Sequence, residues 1–391
     1  MTSTNDLKTT TAAATIPARR PHDHLTAEQL DEIGAAFDAI RQRLLDDLGE
    51  QDAAYIRKIV KAQRLLEVTG RTSLFLSFLP PFWLAGATAL GLAKILDNME
   101  IGHNVMHGQY DWMGDPTLHS SQFEWDTASP SPNWKHGHNF LHHTYTNVIG
   151  KDRDIGYGIL RMTDAQRWTP KDLGNPIYAF LLAAFFQWGV ALHDLEVDRL
   201  RTGETRWEDV SDFAKLIRKK AKKQALKDYV LFPALALPIA PLVFAGNVVA
   251  NGIRNFWAFT IIFCGHFPDG TLLFTEDEIE GESRGHWYVR QLLGSANIEG
   301  SELFHIMSGN LSHQIEHHLF PDLPARRYQH IAAEVREICE QYGLPYNSGS
   351  LGQQFGQVVK RICRLALPWT RDEEGRAPVS RRRPATGRSA A

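Results

Sequence analysis

Apolar positions along the chain fall into a few strong blocks separated by long polar stretches. Residues 27–69 carry Leu30, Ile33, Phe37, Ile40 and Leu44 at helical spacing, which predicts an amphipathic helix packed against the rest of the chain. Thr26-Ala-Glu-Gln29 ahead of it has the form of a capping box. Residues 72–101 make the first continuous apolar block, with Pro80-Pro81 near its middle. A spanning helix needs about 20 apolar residues, so this block reads either as one kinked span or as two helices joined at the proline pair. Further apolar runs follow at 175–193, 229–249 and 253–265. Residues 322–345, with Ile331, Val335 and Ile338, return to the pattern of a soluble amphipathic helix. The pattern predicts an all-α, integral membrane helical bundle of about four spans plus one interfacial helix, beneath a polar helical cap.

The ends of the chain are different in kind. Residues 1–25 are rich in Thr, Ala and Pro and lack the apolar core of a signal peptide. Residues 371–391 are charged and Arg-rich. Both read as disordered tails around a single domain, 26–370.

Composition narrows the function classes. A net charge of −3 over 391 residues gives no basic signal for nucleic acid. Cys264, Cys339 and Cys363 form no Cys-x-x-Cys pair, which excludes a disulfide framework and a thiolate iron–sulfur site. There is no Gly-x-Gly-x-x-Gly, no haem motif and no His-Pro-Gly-Gly of a fused cytochrome b-type domain. The mean hydropathy of −0.29 is low for a membrane protein and fits polar segments flanking a few apolar ones.

Histidine carries the chemistry. His103-Asn-Val-Met-His107, the stretch from His136 to His143, and His313-Gln-Ile-Glu-His-His318 hold nine of the 17 histidines. On a helix, residues four apart share a face, which pairs His103 with His107, His138 with His142 and His313 with His317. The second and third segments share the pattern His-x-x-x-His-His, so His138, His142 and His143 are expected ligands and His136, out of register, a neighbour or surface residue. The same register selects His313, His317 and His318, with Gln314 as the competing residue. Imidazole suits Zn, Cu, Fe or Ni, and a structural zinc needs only four ligands. Eight or nine imidazoles suffice for two metals and point to redox chemistry. Glu100, one turn before His103, is placed to accept from a ligand imidazole N–H or to end a helix in solvent; Asp154 is a further carboxylate beside the second segment. Trp134 either lines a substrate tunnel or anchors the chain at the membrane interface. Lys151 and Arg153 are candidates for a phosphate-bearing substrate, or part of a solvated turn. His119, His286 and His305 are weaker candidates.

The three segments must meet on one side of a membrane, so an even number of crossings separates His143 from His313. Three apolar runs are one too many. The run 175–193 is therefore assigned to the interface, and the other two to a hairpin of short spans. The basic run from Lys215 to Lys227 next to it places the histidines on the cytoplasmic side by the positive-inside rule.

These histidine segments resemble the histidine boxes of the membrane fatty-acid desaturases. Lys94-Ile-Leu-Asp-Asn-Met-Glu-Ile-Gly-His-Asn-Val-Met-His107, Lys151-Asp-Arg-Asp-Ile-Gly-Tyr157 and Gly309-Asn-Leu-Ser-His-Gln-Ile-Glu-His-His-Leu-Phe-Pro321 are similar to the actinobacterial, mycobacterial-type stearoyl-CoA desaturases. The resemblance covers roughly residues 60 to 340. It implies two irons, O2 as co-substrate, an acyl-CoA substrate desaturated at the 9,10 bond, and electrons from NADPH through a separate flavin or iron–sulfur reductase. It further implies a histidine ligand at the end of the last span, matched here by His266. The family's Asn one turn earlier is Ile262 in this chain, so that residue's water-mediated contact has no counterpart. Many desaturases acting near the carboxyl end carry Gln-x-x-His-His in the last box, which Gln314 matches. The basic run is also placed to attract anionic lipid or acyl-CoA.

Three other readings compete. A soluble ferritin-like di-iron oxidase would use Glu100-Ile-Gly-His103 and Glu302-Leu-Phe-His305, but wastes the paired histidines and leaves the apolar runs unexplained. A His-rich membrane hydroxylase would share the site and differ in its product. A metal transporter predicts ligands at mid-membrane, whereas these histidines follow the apolar runs or lie in polar segments.

Overall fold

The computed structural model describes residues 20–368. The tail assignments therefore lie outside the described residues, except for 20–25, which are packed: Arg20 pairs with Glu278 at 2.9 Å, and His24 Nε2 lies 2.7 Å from the Tyr342 carbonyl oxygen.

Helix α1 (Ala27–Asp46) begins at the capping box, in which the Gln29 amide donates to Thr26 Oγ1 and the Thr26 amide to Gln29 Oε1. Its stripe of Leu30, Ile33, Phe37, Ile40 and Leu44 is buried in a core shared with Tyr288, Phe320 and Tyr328. Helices α2 (Glu50–Phe75) and α3 (Pro80–Leu96) form a hairpin. Pro80 and Pro81 open α3 rather than kink one long helix, because the first turn needs no N–H from them. Glycines let the two approach: a Cβ on Gly70 would sit 2.7 Å from the Leu90 nitrogen, and one on Gly86 2.9 Å from the Leu74 nitrogen.

The run at 175–193 breaks at Phe185 into α4 (Asn175–Ala184) and α5 (Phe186–Asp194), bent by 99°. Basic helix α6 (Trp207–Leu226) follows and leads through a π-helical turn, Lys227–Leu231, into Phe232–Leu235. Helix α7 (Ala240–His266) is then continuous for 27 residues. This corrects the hairpin expected between 249 and 253: the turn lies before Ala240, with Pro241 in the first turn of α7, and Gly252 has open space beside it and does not interrupt the helix. Only α7, among the described residues, is long and apolar enough by itself to cross a membrane, so about four spans is more than length and composition return. Leu76, Phe78, Leu79 and Phe82 at the tip of one hairpin, and Leu235, Leu237, Leu242 and Phe244 at the tip of the other, are exposed.

Where the hairpins meet, Asp228 is fully buried and accepts from Arg71 at 2.9 Å, Lys94 at 2.8 Å and Asn251 at 3.0 Å. A buried charge needs such partners. The cap contains α8 (Arg284–Leu293), α9 (Gln314–Leu319), α10 (Tyr328–Gln341) and α11 (Leu351–Leu365). Two three-residue strands, Asn297–Glu299 and Ser348–Ser350, pair in parallel and are a small departure from an all-helical chain.

Candidate metal centre

Four segments deliver the histidines to one place. Helix α3 runs on into a π-helical turn, Asp97–His103, and a second π-helical turn spans Lys135–His142. Such turns recur at functional sites because they rotate side chains out of the regular register. His103 and His107 follow the first, with ring centroids 4.6 Å apart. His138 and His142 face inward from the second at 5.1 Å, while His136 is exposed and stacks on Phe140. Helix α9 brings His317 and His318, and α7 ends on His266.

The rings sort into two groups. Ligand atoms of His103, His107, His138 and His317 all lie within 4.8 Å of one another, and so do those of His142, His266 and His318. His143 stands between them, its ring 4.7 Å from that of His107 and 4.5 Å from that of His318. Nε2 of His103 lies 3.2 Å from Nε2 of His138, and Nε2 of His318 3.3 Å from that of His266. Ring nitrogens of His107, His142, His143 and His317 are buried without a hydrogen-bond partner. Buried imidazole nitrogens facing one another without donors are unfavourable unless a cation lies between them. The donor set fits metal ions on that observation, since metal–nitrogen distances of about 2 Å need ligand atoms this close.

The outward nitrogens are held by the protein. His142 Nδ1 donates to Asp152 at 3.0 Å. Asn104 Oδ1 lies 3.1 Å from His103 Nδ1, and Gln291 Oε1 lies 3.0 Å from His318 Nδ1. Thr146 Oγ1 lies 3.1 Å from the same His318 nitrogen, and the Tyr328 hydroxyl 3.4 Å from His317 Nδ1. Asp154 lies 3.0 Å from His193 Nε2 and 3.7 Å from His138 Nδ1. Burial, together with neighbouring imidazoles, keeps His143, His317 and His318 well below the usual histidine range and brings His103 to about 3. These rings are therefore neutral near pH 7, as metal ligation requires. For His142, burial acts downward but Asp152 and Asp154 outweigh it, raising it to about 9. Burial likewise opposes the charge of Asp154, yet His142, His138 and His193 hold it well below the usual carboxylate range.

Not every expected residue reaches the centre. His313 is set apart: its ring lies 4.5 Å from that of His305, outside both groups. It precedes α9 with φ −100° and ψ 57°, so it is not in helical register with His317. Gln314 takes the place beside the metal groups, its Nε2 3.1 Å from His266 Nε2. Gly265 makes room, since a Cβ there would be 2.8 Å from Gln314 Cγ. Glu100 faces away from the imidazoles and accepts from Tyr55 at 2.7 Å and Asn310 at 2.9 Å, fully buried rather than ending a helix in solvent. Trp134 is buried and stacks on His138 at 4.4 Å, which removes the reading as an interfacial anchor. Lys151 pairs with Glu276 at 3.2 Å, and Arg153 with Glu196 at 2.9 Å. Asp152, His193, Gln291 and Tyr328 were missed by the sequence reading. Asp152 had a signal, since it stands in the same Lys-Asp-Arg-Asp run as Asp154; the others lie far from any box.

A narrow cavity of about 60 Å³ opens from the histidines, with Trp134, Tyr157, Phe186, Ile262 and Leu311 among its walls. A mostly apolar accessible surface beside the histidines suits an alkyl chain.

Comparison with known proteins gives a consistent picture. The family model described as fatty acid desaturase matches residues 80–350. An NADPH-dependent stearoyl-CoA 9-desaturase of Mycobacterium tuberculosis is 47% identical over 365 residues, covering 92% of this chain and 85% of that protein. An sn-1 linoleoyl-lipid 6-desaturase of Synechocystis is 27% identical over 282 residues, covering 70% of this chain and 77% of that protein.

Proposed function

The chain belongs to the fatty acid desaturase family, and on that premise we propose that it desaturates a long-chain acyl-CoA, stearoyl-CoA at the 9,10 position. The mycobacterial relative's name supplies the substrate and position. The observation that carries the reading is the convergence of eight imidazoles, four of which, His103, His138, His142 and His266, line a cavity whose accessible surface is mostly apolar. His103, His107, His138 and His317 would hold one iron, and His142, His266 and His318 the other, with His143 between them. Two irons there would activate O2 and remove two hydrogens from adjacent methylenes. The protein's part is to position and to keep dry. Trp134 against His138 and His103 packs the wall beside the first group. Asp152, Gln291 and Asn104 fix ring orientation, and Ile262 and Leu311 shape the path of the chain.

The electrons come from a separate NADPH-fed reductase in this proposal. The exposed apolar tips of the two hairpins support insertion of these hairpins in a membrane, with α7 as a crossing and α4–α5 at the interface. The basic helix α6 supports a cytoplasmic side for the histidines, by the positive-inside rule. Lys220 and Lys227 of that helix region pair with Glu124 and Asp126, while Lys219, Lys222 and Lys223 stay exposed for anionic lipid or CoA phosphates.

Lipid analysis after co-expression with a reductase in a host lacking its own desaturase tests this. The expected result is a new cis-9 monoenoic acid that depends on His142. A hydroxylated acid would favour the hydroxylase instead, and no change in fatty acids with active reductase present would overturn the proposal.

A further inference from the structure

Helix α7 carries a charge where its length would favour apolar residues. Arg254 is 2% exposed and lines the same cavity as His266. The two are twelve residues apart, about 18 Å along the axis. On the outer side of α7, Val249 and Phe256 are exposed at the same depth, so Arg254 lies at the level of the lipid-facing belt. A buried ionisable group at that depth is held for function or by a dedicated network. Here the network is visible. Arg254 Nε donates to Asn255 Oδ1 at 3.0 Å and Nη2 to Asn251 Oδ1 at 3.2 Å, and Asn251 in turn donates to Asp228. Asn255 is fixed by donating to the Ala184 carbonyl at 2.8 Å. Beside them Gln187, also lining the cavity, keeps a buried Oε1 with no partner.

We infer that Arg254, Asn255 and Gln187 form a polar stop at the membrane-side end of the cavity, which sets the length of acyl chain it admits. This rests on the desaturase reading above. The reacting carbons lie at the histidines, and a charged headgroup stays with the polar cap, so the part of the substrate at the depth of Arg254 is the methyl end. A chain that ends short of the stop leaves the guanidinium and the Gln187 carbonyl with water, for which they are good partners. Each further methylene displaces that water and puts an alkyl group against a charge it cannot satisfy. Length selection then comes from polar groups fixed by α7 and Asp228, rather than from the bulk of an apolar side chain.

The test compares Arg254→Met and, separately, Gln187→Leu with the wild-type holoenzyme, using stearoyl-CoA and the acyl-CoA two carbons longer. The expected result is a rise of about tenfold or more in the longer-to-stearoyl ratio of kcat/KM, the scale on which single methylenes are discriminated. Gln187→Leu leaves the Asp228 network intact and serves if Arg254→Met does not fold. An unchanged ratio overturns the inference. So does loss of all turnover in Gln187→Leu at wild-type expression and iron content, because a stop beyond the methyl end touches no reacting atom. Failure of the desaturase reading is distinguishable, since the wild-type protein would then form no double bond in stearoyl-CoA either.

Discussion

The clearest structural consequences attach to single residues around the imidazoles. Asp152 accepts from His142 Nδ1 and also from the Asn147 amide at 2.7 Å, so it holds both the ring and the loop after it. Asp152→Asn is expected to lower metal affinity about 10–100-fold, read as metal content after dialysis. His313→Ala, by contrast, should keep wild-type metal content, because His313 packs on His305 outside both groups; loss of metal in that variant would show the ring assignment to be wrong. The metal-free protein should also have a defined pH window. His103 has a folded value lowered to about 3 from 6.5, so its contribution is present above 6.5 and lost as pH falls toward 3. His142 is raised to about 9, so its contribution is full below 6.5 and lost as pH rises through 9. The melting temperature of apo protein should therefore peak between these limits, and Asp152→Asn should flatten the alkaline side.

At the scale of elements, the two hairpins are built by the same device. Proline opens the returning helix in each; in the first, Gly70 and Gly86 let the partners close, whereas Gly246 of α7 packs on Leu74 of α2. Gly70→Leu would force a side chain into the Leu90 backbone, and overpacking of this kind costs about 1–3 kcal/mol. Thermal unfolding in detergent is the check, and an unchanged midpoint would mean the helices separate more easily than their packing suggests. The first hairpin was half legible: the proline pair marked a break, but periodicity cannot say whether a break is a kink or a turn. The second was misplaced because the gap between its apolar runs, at residues 250–252, lies inside a continuous helix in which Asn251 is buried and donates to Asp228. Counting crossings assigned the apolar run at 175–193 to the interface, but periodicity gave no sign of its 99° bend at Phe185.

For the whole molecule, a metal bound at these histidines would couple to the fold. The histidines come from segments that also carry the cap and the bundle, so a metal bound by them ties α3, α7 and α9 together. Chelation should lower the melting temperature, and Fe(II) should restore it, as mass action on the folded state requires. A midpoint indifferent to chelator, with metal loss verified, would detach the site from the fold.

The sequence by itself determined which residue types carry the chemistry, that they fall in three polar segments beside apolar helices, and that the chain is helical. It could do so because ligand spacing and apolar periodicity are local, and a local pattern survives without neighbours. Only the tertiary structure decided that Gln314 rather than His313 stands at His266, that Asp152 orients His142, and that Arg254 lines the same cavity as His266. Those facts depend on where separate helices end and how closely they approach. One non-helical residue before α9 turns His313 aside, and a glycine on α7 lets Gln314 in.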